Sequence, residues 1–413
     1  MALALSGCQA HHARPDLAAI EDGSPQRLAM NTRVYDDAVR RVSRRHFDRP
    51  RQAEFRREAQ ARRAAAIERP DEESFYDALN GALGVLDDDH TNALGPAVVR
   101  ELEILASGEA LHFGFAARLI TDAETQERRY YVTSVFENGP AQAAGVQPGW
   151  WVKALNGAPW ETSRYQDGDE ILVFEDPAGE ERVVTLRRAP VRRPIGLVRR
   201  RPDGVAVVAF GNFSRRSLDW LKTALTELQA DPPSAVLLDL RRNPGGSLGV
   251  APDVVGAFFS EPFRFIQPVH LDLEGRFFAT VFRTVPTRTV PFDHGWTGPL
   301  AVVVSPDTAS AAEIFAATIQ DCRRGVIVGE TTMGATAMSV DYRLPDGGVI
   351  SVGIGEMLTF KGRIIEKVGV TPDIVIAPSF EDGRAARDVV LDAAARAAID
   401  YKSDGRCVGA AGG

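Results

Sequence analysis

Pro299-Leu-Ala-Val-Val-Val-Ser-Pro-Asp-Thr-Ala-Ser-Ala-Ala-Glu-Ile-Phe-Ala-Ala-Thr-Ile-Gln320 joins two patterns across one sharp break. Leu300 to Val304 is an unbroken apolar run rich in β-branched residues, the composition of a strand buried on both faces. Ser305-Pro306-Asp307 interrupts it. From Ala311 the chain is Ala-rich and apolar on nearly every side, which predicts a helix inside a core. Ser310 therefore stands at the mouth of that helix, at the positive end of its dipole and beside amides with no intrahelical partner. A serine nucleophile needs such donors, because the carbonyl it attacks becomes an oxyanion. The same residues also spell a capping box, Ser310-Ala311-Ala312-Glu313, with Glu313 reaching back to the start of the helix.

The chain has 413 residues, enough for two or three domains and a sizeable core. Its hydrophobic fraction of 44% and charged fraction of 25% are those of a soluble globular protein. The net charge of −8 argues against a nucleic-acid partner. Only five lysines occur, so a lysine general base has few candidates. Three cysteines are too few for a disulfide framework. Cys8, in Leu5-Ser6-Gly7-Cys8, looks like the lipidation site of a bacterial lipoprotein, or else is a chance match in a leader. Residues 1–30 are read as a lipoprotein-type leader and tether, and no run reaches the ~18 apolar residues of a membrane span.

Residues 31–105 form an N-terminal helical segment, with Val34, Ala38, Val42 and then Phe75, Leu79, Leu83 at helical spacing. The segment carries Asp87-Asp88-Asp89-His90-Thr91, where His90 is open to three readings: a metal ligand, a satisfied structural histidine, or a general base oriented by a neighbour. Residues 106–190 turn to β-type alternation around Phe113-Gly114-Phe115 and Tyr130 to Val135. Beyond 191 strand and helix patterns alternate to about residue 400, the mark of βαβ units and a mostly parallel sheet, before a tail over 401–413. Within this core the Gly245-Gly246 pair is a tight turn, a phosphate cradle or part of an oxyanion hole. Neither a Walker pattern nor GxGxxG accompanies it. Pro345-Asp346-Gly347-Gly348 predicts a hairpin, and Cys407 falls in a frayed tail.

Several stretches then agree in order: Asp239-Leu240-Arg241-Arg242-Asn243-Pro244-Gly245-Gly246, Thr308-Ala309-Ser310-Ala311-Ala312-Glu313, Gly329-Glu330-Thr331-Thr332, Leu344-Pro345-Asp346-Gly347 and Gly369-Val370-Thr371-Pro372-Asp373. This set resembles the C-terminal processing (tail-specific) peptidases and the tricorn core protease. The resemblance implies an α/β, crotonase-like (ClpP/crotonase) serine-peptidase core, with Ser310 as nucleophile and the amides of Ala311, Gly245 and Gly246 as oxyanion donors. It also implies no metal or cofactor. Glu137 to Asn156-Gly157 resembles a PDZ domain inserted ahead of that core, and Leu111 to Phe115 would be its carboxylate-binding loop, making Phe113, Gly114 and Phe115 substrate-binding residues.

The resemblance breaks at one place. Where the C-terminal processing branch has its catalytic lysine, this chain has Ala335, and Ser339 stands where a glutamine is expected. The tricorn-like branch instead resembles a Ser–His–Glu arrangement, in which His90 and Glu366 occupy the corresponding places. The expectation is a serine endopeptidase of the periplasm or cell envelope, lipid-anchored and acting on protein or peptide substrates. Its alternative is a catalytically inactive homologue that binds peptides or serves as a scaffold. A third reading, acyl chemistry on a thioester, would need an adenine-nucleotide pocket for which the sequence offers no sign. Oligomeric state is not legible.

Overall fold

The structure is a computed structural model, which describes residues 20–107, 111–122, 125–163, 165, 168–190, 195–263, 267–269, 288–403 and 407. Two compact units divide it, one of residues 1–101, 195–374 and 397–413, the other of residues 102–194 and 375–396. Each has its own core.

The first unit begins with three helices, α1 (Pro25–Arg45), α2 (Arg49–Ile67) and α3 (Glu72–Leu83). Helix α1 starts inside the segment read as tether, because Ser24 accepts from the Arg27 amide and Pro25 fills the first helical position, where a missing N–H costs nothing. Val34, Ala38 and Val42 of α1 meet Phe75, Leu79 and Leu83 of α3 in one apolar cluster. A short strand, β1 (Asn92–Leu94), follows the His90 loop.

The main sheet contains β2 (Gly196–Arg200), β3 (Ala206–Phe210), β4 (Val236–Asp239), β5 (Leu300–Val304) and β6 (Val326–Gly329) as successive neighbours. All are parallel from β3 onward, with Leu237 opposite Ala301 and Ala301 opposite Val326, while β2 is antiparallel. The basic stretch 187–203, which reads as a linker, contributes β2 as an edge strand whose exposed arginines keep the edge charged. Helix α4 (Arg215–Ala230) covers the sheet with Leu218, Leu221, Leu225 and Leu228. The turn at Gly246 is followed by a short helix, α5 (Ala251–Gly256). Helix α6 (Ala311–Asp321) is enclosed on nearly every side: Ala311, Ile314, Phe315 and Ile319 are all fully buried, each large side chain worth roughly 1.5–3 kcal/mol.

A second sheet pairs β7 (Met338–Arg343) with β8 (Val349–Leu358), and β8 with β1. The hairpin falls at Leu344–Gly348, as the turn residues predict, and Tyr76 donates to buried Asp346 at 2.9 Å within it. Cys407 is not part of a frayed end. It forms a disulfide with Cys322, the residue that caps α6 at its C-terminus.

The second unit has strands Phe115–Thr121, Arg128–Val135, Trp151–Leu155, Asp169–Glu175 and Glu181–Arg187, antiparallel and adjacent in that order. A one-turn helix, Pro140–Ala143, follows the Asn138-Gly139 turn. Its core holds Phe113, Phe115, Val132, Val152, Leu155, Leu172 and Phe174. The closing helix spans Val389–Asp400; ahead of it Ala386 adopts a left-handed φ of 50°, which breaks the Ala-rich run.

Candidate active site

The turn between β5 and α6 is anchored before it reaches Ser310. Thr308 Oγ1 donates to the Leu240 carbonyl at 2.9 Å, Ser305 Oγ to the Arg241 carbonyl at 2.6 Å, and the Ala309 amide to the Asn243 carbonyl at 3.2 Å. The two loops that leave β4 and β5 are thereby fixed to each other. Ser310 emerges with φ 55° and ψ −122°, a backbone conformation that side-chain-bearing residues rarely adopt. Such strain survives only where the surroundings over-determine it, and it gathers at functional sites. A sharp strand-to-helix turn of this kind pushes a serine hydroxyl out of the backbone.

Glu313 holds the turn in place. This fully buried carboxylate accepts from the amides of Ser310 (2.9 Å), Gly334 (2.6 Å) and Ala335 (2.8 Å) and from the Thr332 hydroxyl (2.5 Å). The glutamate arm of the capping box is thus formed, and the same side chain is a tether for segment 334–335. Burial pushes the Glu313 carboxyl above its ordinary value, against those four donors.

The Gly245-Gly246 turn lies against Ser310. A Cβ on Gly245 would come within 2.7 Å of Ser310 Cβ and of the Ala311 amide nitrogen, and Gly245 has φ 90°. Only glycine fits. The Gly245 N–H is already used, donating to Asn243 Oδ1 at 2.9 Å, so the expectation that it serves as an oxyanion donor does not agree with this arrangement. Its role is the close approach itself. The amides of Gly246 and Ala311 have no hydrogen-bond acceptor among the described residues, and both belong to this turn region.

His90 and Glu366 are brought together. His90 Nε2 lies 3.7 Å from Glu366 Oε2, an ion-pair contact longer than a hydrogen bond, and both side chains are nearly buried. His90 Nε2 has no hydrogen-bond partner among the described residues. Glu366 Oε2 accepts from the amides of Thr336 (2.6 Å) and Ala337 (2.7 Å) and from Thr336 Oγ1 (3.2 Å). Four consecutive amides, 334 to 337, therefore serve two carboxylates, the first two Glu313 beside Ser310 and the last two Glu366 beside His90. Desolvation would lower the His90 pKa, but the carboxylates of Glu366, Asp88 and Asp89 together outweigh it and hold the imidazole above its ordinary value. Desolvation would raise Glu366, and the His90 contact with the two amides carries it below its ordinary value.

The Ser310 hydroxyl and the His90 ring are not hydrogen-bonded to each other in the free protein. Contacts between catalytic groups are often long before substrate binds. Lys367 cannot stand in for the absent lysine: its Nζ donates to the Asp87 carbonyl at 2.6 Å and lies 2.9 Å from Asp87 Oδ2. Sequence reasoning missed Glu313 as a hub and Asn243 as the Gly245 acceptor. The Asn-Pro-Gly-Gly spelling, an Asx-turn signal, was the available clue to the second.

Phe113 and Phe115 stack in the second unit with centroids 6.2 Å apart, and Gly114 between them has φ 86°. Trp160 and Tyr165 close over them at 5.7–6.4 Å. Cys8 lies outside the described residues.

The mixed α/β sheet delivers a strained serine to the mouth of a buried helix. Residues 204–376 match the model of peptidase family S41. It is 25% identical over 327 residues to "Carboxyl-terminal-processing peptidase 2, chloroplastic" of Arabidopsis thaliana, covering 75% of this chain and 61% of that protein. It is 26% identical over 353 residues to "Carboxyl-terminal-processing protease" of a Picosynechococcus species, covering 81% and 80%. The chain thus spans less than two thirds of the first of these relatives. Among solved structures, the photosystem II D1 C-terminal processing protease superposes with a TM-score of 0.55 at 22% identity, over 84% of this chain and 94% of that one. Mature CPAF gives 0.60 at 12%, over 93% and 100%, and the tricorn protease 0.53 at 14%, over 90% and 37%. These likenesses concern the fold.

Proposed function

We propose that the chain is a serine endopeptidase of the bacterial cell envelope, built on a crotonase-like core, with Ser310 as nucleophile, His90 as general base and Glu366 as the group that orients it. The observation that carries the proposal is Ser310 itself, at φ 55° in the turn region of the Ala311 and Gly246 amides, which have no acceptor among the described residues. In the reaction His90 takes the Ser310 hydroxyl proton as the oxygen bonds to the substrate carbonyl carbon. The oxyanion that forms is met by those two amides. His90 then gives the proton to the leaving amine as the C–N bond breaks, and water, deprotonated by the same ring, releases the acyl group and restores the serine. Glu366 steadies the imidazolium in both halves.

The second unit supports a PDZ-like reading. Among the described residues strand Phe115–Thr121 ends its sheet, paired with Arg128–Val135, and its other edge is where a substrate strand would add. Phe113, Gly114 and Phe115 would then receive the substrate's C-terminus. The Cys322–Cys407 disulfide favours an oxidising compartment, which suits a periplasmic site with lipidation at Cys8.

One observation favours the non-catalytic alternative: alanine at 335 removes the amine that related peptidases use. Incubating the protein with denatured β-casein tests the proposal. Cleavage by the wild type and none by Ser310→Ala supports it, and no cleavage by either leaves the binding protein.

A further inference from the structure

His46 and Asp88 are buried polar groups that the mechanism above does not use. His46 is fully buried. Its Nδ1 accepts from the Asp48 amide at 3.2 Å, which fixes the tautomer with the proton on Nε2, and that proton is donated to Asp88 Oδ2 at 3.1 Å. Asp88 in turn accepts from the Thr91 hydroxyl (2.5 Å) and, through Oδ1, from the backbone amide of His90 (2.9 Å).

The cluster is tied to the second sheet at one residue. Thr91 Oγ1 accepts from the Gly353 amide at 2.8 Å, and the Phe47 amide donates to the Gly353 carbonyl at 3.2 Å. A side chain on Gly353 would overlap Asp88 Oδ2. Gly353 of β8 stands opposite Ser339 of β7, two residues beyond Ala337, whose amide holds Glu366. The His90 loop and the backbone that grips Glu366 are thus hung from the same strand pair.

We propose that Asp88, fixed by His46, is a positioning residue that sets the place of His90 opposite Glu366. This rests on His90 being the base. Desolvation would raise the Asp88 pKa, but the bonds from His46, Thr91 and the His90 amide hold it below the ordinary carboxylate value, so the loop keeps a fixed negative charge. The groups facing the His90 ring are Glu366 from the segment before Gly369, and Asp88 and Asp89 from its own loop, all of which favour the imidazolium. Lys367 and Arg51 are both spent on Asp87.

The test is a 13Cε1-histidine NMR titration of the full chain, with His90 assigned from His90→Gln, run on wild type, Asp88→Asn and His46→Gln beside the rate of Ser310 modification by a fluorophosphonate across pH. Asp88→Asn is expected to lower the His90 midpoint by about half a unit or more, as loss of a nearby opposite charge does. The acid limb of the modification rate should move the same way, with the plateau rate at least about tenfold lower. His46→Gln should lower the plateau, and the double variant should be no slower than Asp88→Asn, since the two act in series. A His90 midpoint and plateau rates unchanged in both variants would overturn the proposal. If Asp88→Asn does not fold, as its melting curve reports, the His46→Gln plateau decides. Should wild type itself resist modification, the proposed activity fails, while the His90 titration still decides the positioning.

Discussion

Glu366 Oε2 faces His90 Nε2 at 3.7 Å, and one residue further along Lys367 Nζ faces Asp87 Oδ2 at 2.9 Å. The two segments are joined by two ion pairs of opposite polarity. Lys367–Asp87 is the exposed one and is worth little to stability. In the inner pair one carboxylate oxygen faces the imidazole and accepts from two backbone amides.

Replacing Glu366 with glutamine keeps the shape and removes the charge. The imidazolium loses its partner, and we expect kcat to fall by roughly 10²–10⁴-fold with little change in KM, the range for general acid–base assistance. Steady-state peptidase assays on Glu366→Gln measure this. An unchanged kcat would remove Glu366 from the site.

The same pair makes stability depend on pH from both sides. Glu366 titrates below its ordinary 4.5 in the folded protein, so its contribution is present above about that pH and is lost as pH falls through the lower folded value. His90 titrates above its ordinary 6.5, so its contribution is present below about that pH and is lost as pH rises through the raised value. The pair contributes fully between the two. In the proposed mechanism activity runs the other way, since His90 acts there as a neutral base, and its acid limb should lie above 6.5. Urea unfolding at pH 5.5 and pH 9, with and without Glu366→Gln, should show a larger effect of the substitution at pH 5.5.

Gly245→Ala places a methyl against the Ala309 carbonyl, the Ala311 amide and Ser310 Cβ at 2.6–2.7 Å, at a φ of 90°. The backbone strain alone is on the order of 1–3 kcal/mol. The variant should melt lower and lose most of its peptidase activity. Differential scanning calorimetry and the casein assay report the two losses separately.

Cys407→Ser opens the bridge to the C-terminal cap of α6 across an 85-residue separation. About 2–4 kcal/mol should be lost, read as a lower urea midpoint, and dithiothreitol should shift wild type to the same midpoint without affecting the variant.

The parallel sheet, the helices at either end of the chain and the hairpin at Pro345 were legible because each rests on local signals: β-branched runs bounded by turns, apolar spacing of 3.6, and Asp-Gly. The close approach of β5, α6 and the Gly245 turn was legible only as a resemblance. Three features were not. Asn243 takes the Gly245 amide, Glu313 gathers donors 19 to 22 residues downstream, and Cys407 returns to Cys322. The last two depend on contacts between distant segments, which periodicity and propensity do not encode; the first is a local Asx turn, whose Asn-Pro-Gly-Gly spelling fits an oxyanion-hole turn equally well. The early start of α1 was legible in Ser24-Pro25, but the small polar composition before it pointed to a tether.

The most direct measurement is modification by an alkyl fluorophosphonate followed by peptide mass mapping, on wild type, Ser310→Ala and His90→Gln. Wild type should gain one adduct on the peptide that contains Ser310, Ser310→Ala none, and His90→Gln the same adduct at a rate lower by roughly 10²-fold or more. A wild-type chain that stays unmodified, or is modified at the same rate without His90, would contradict the account.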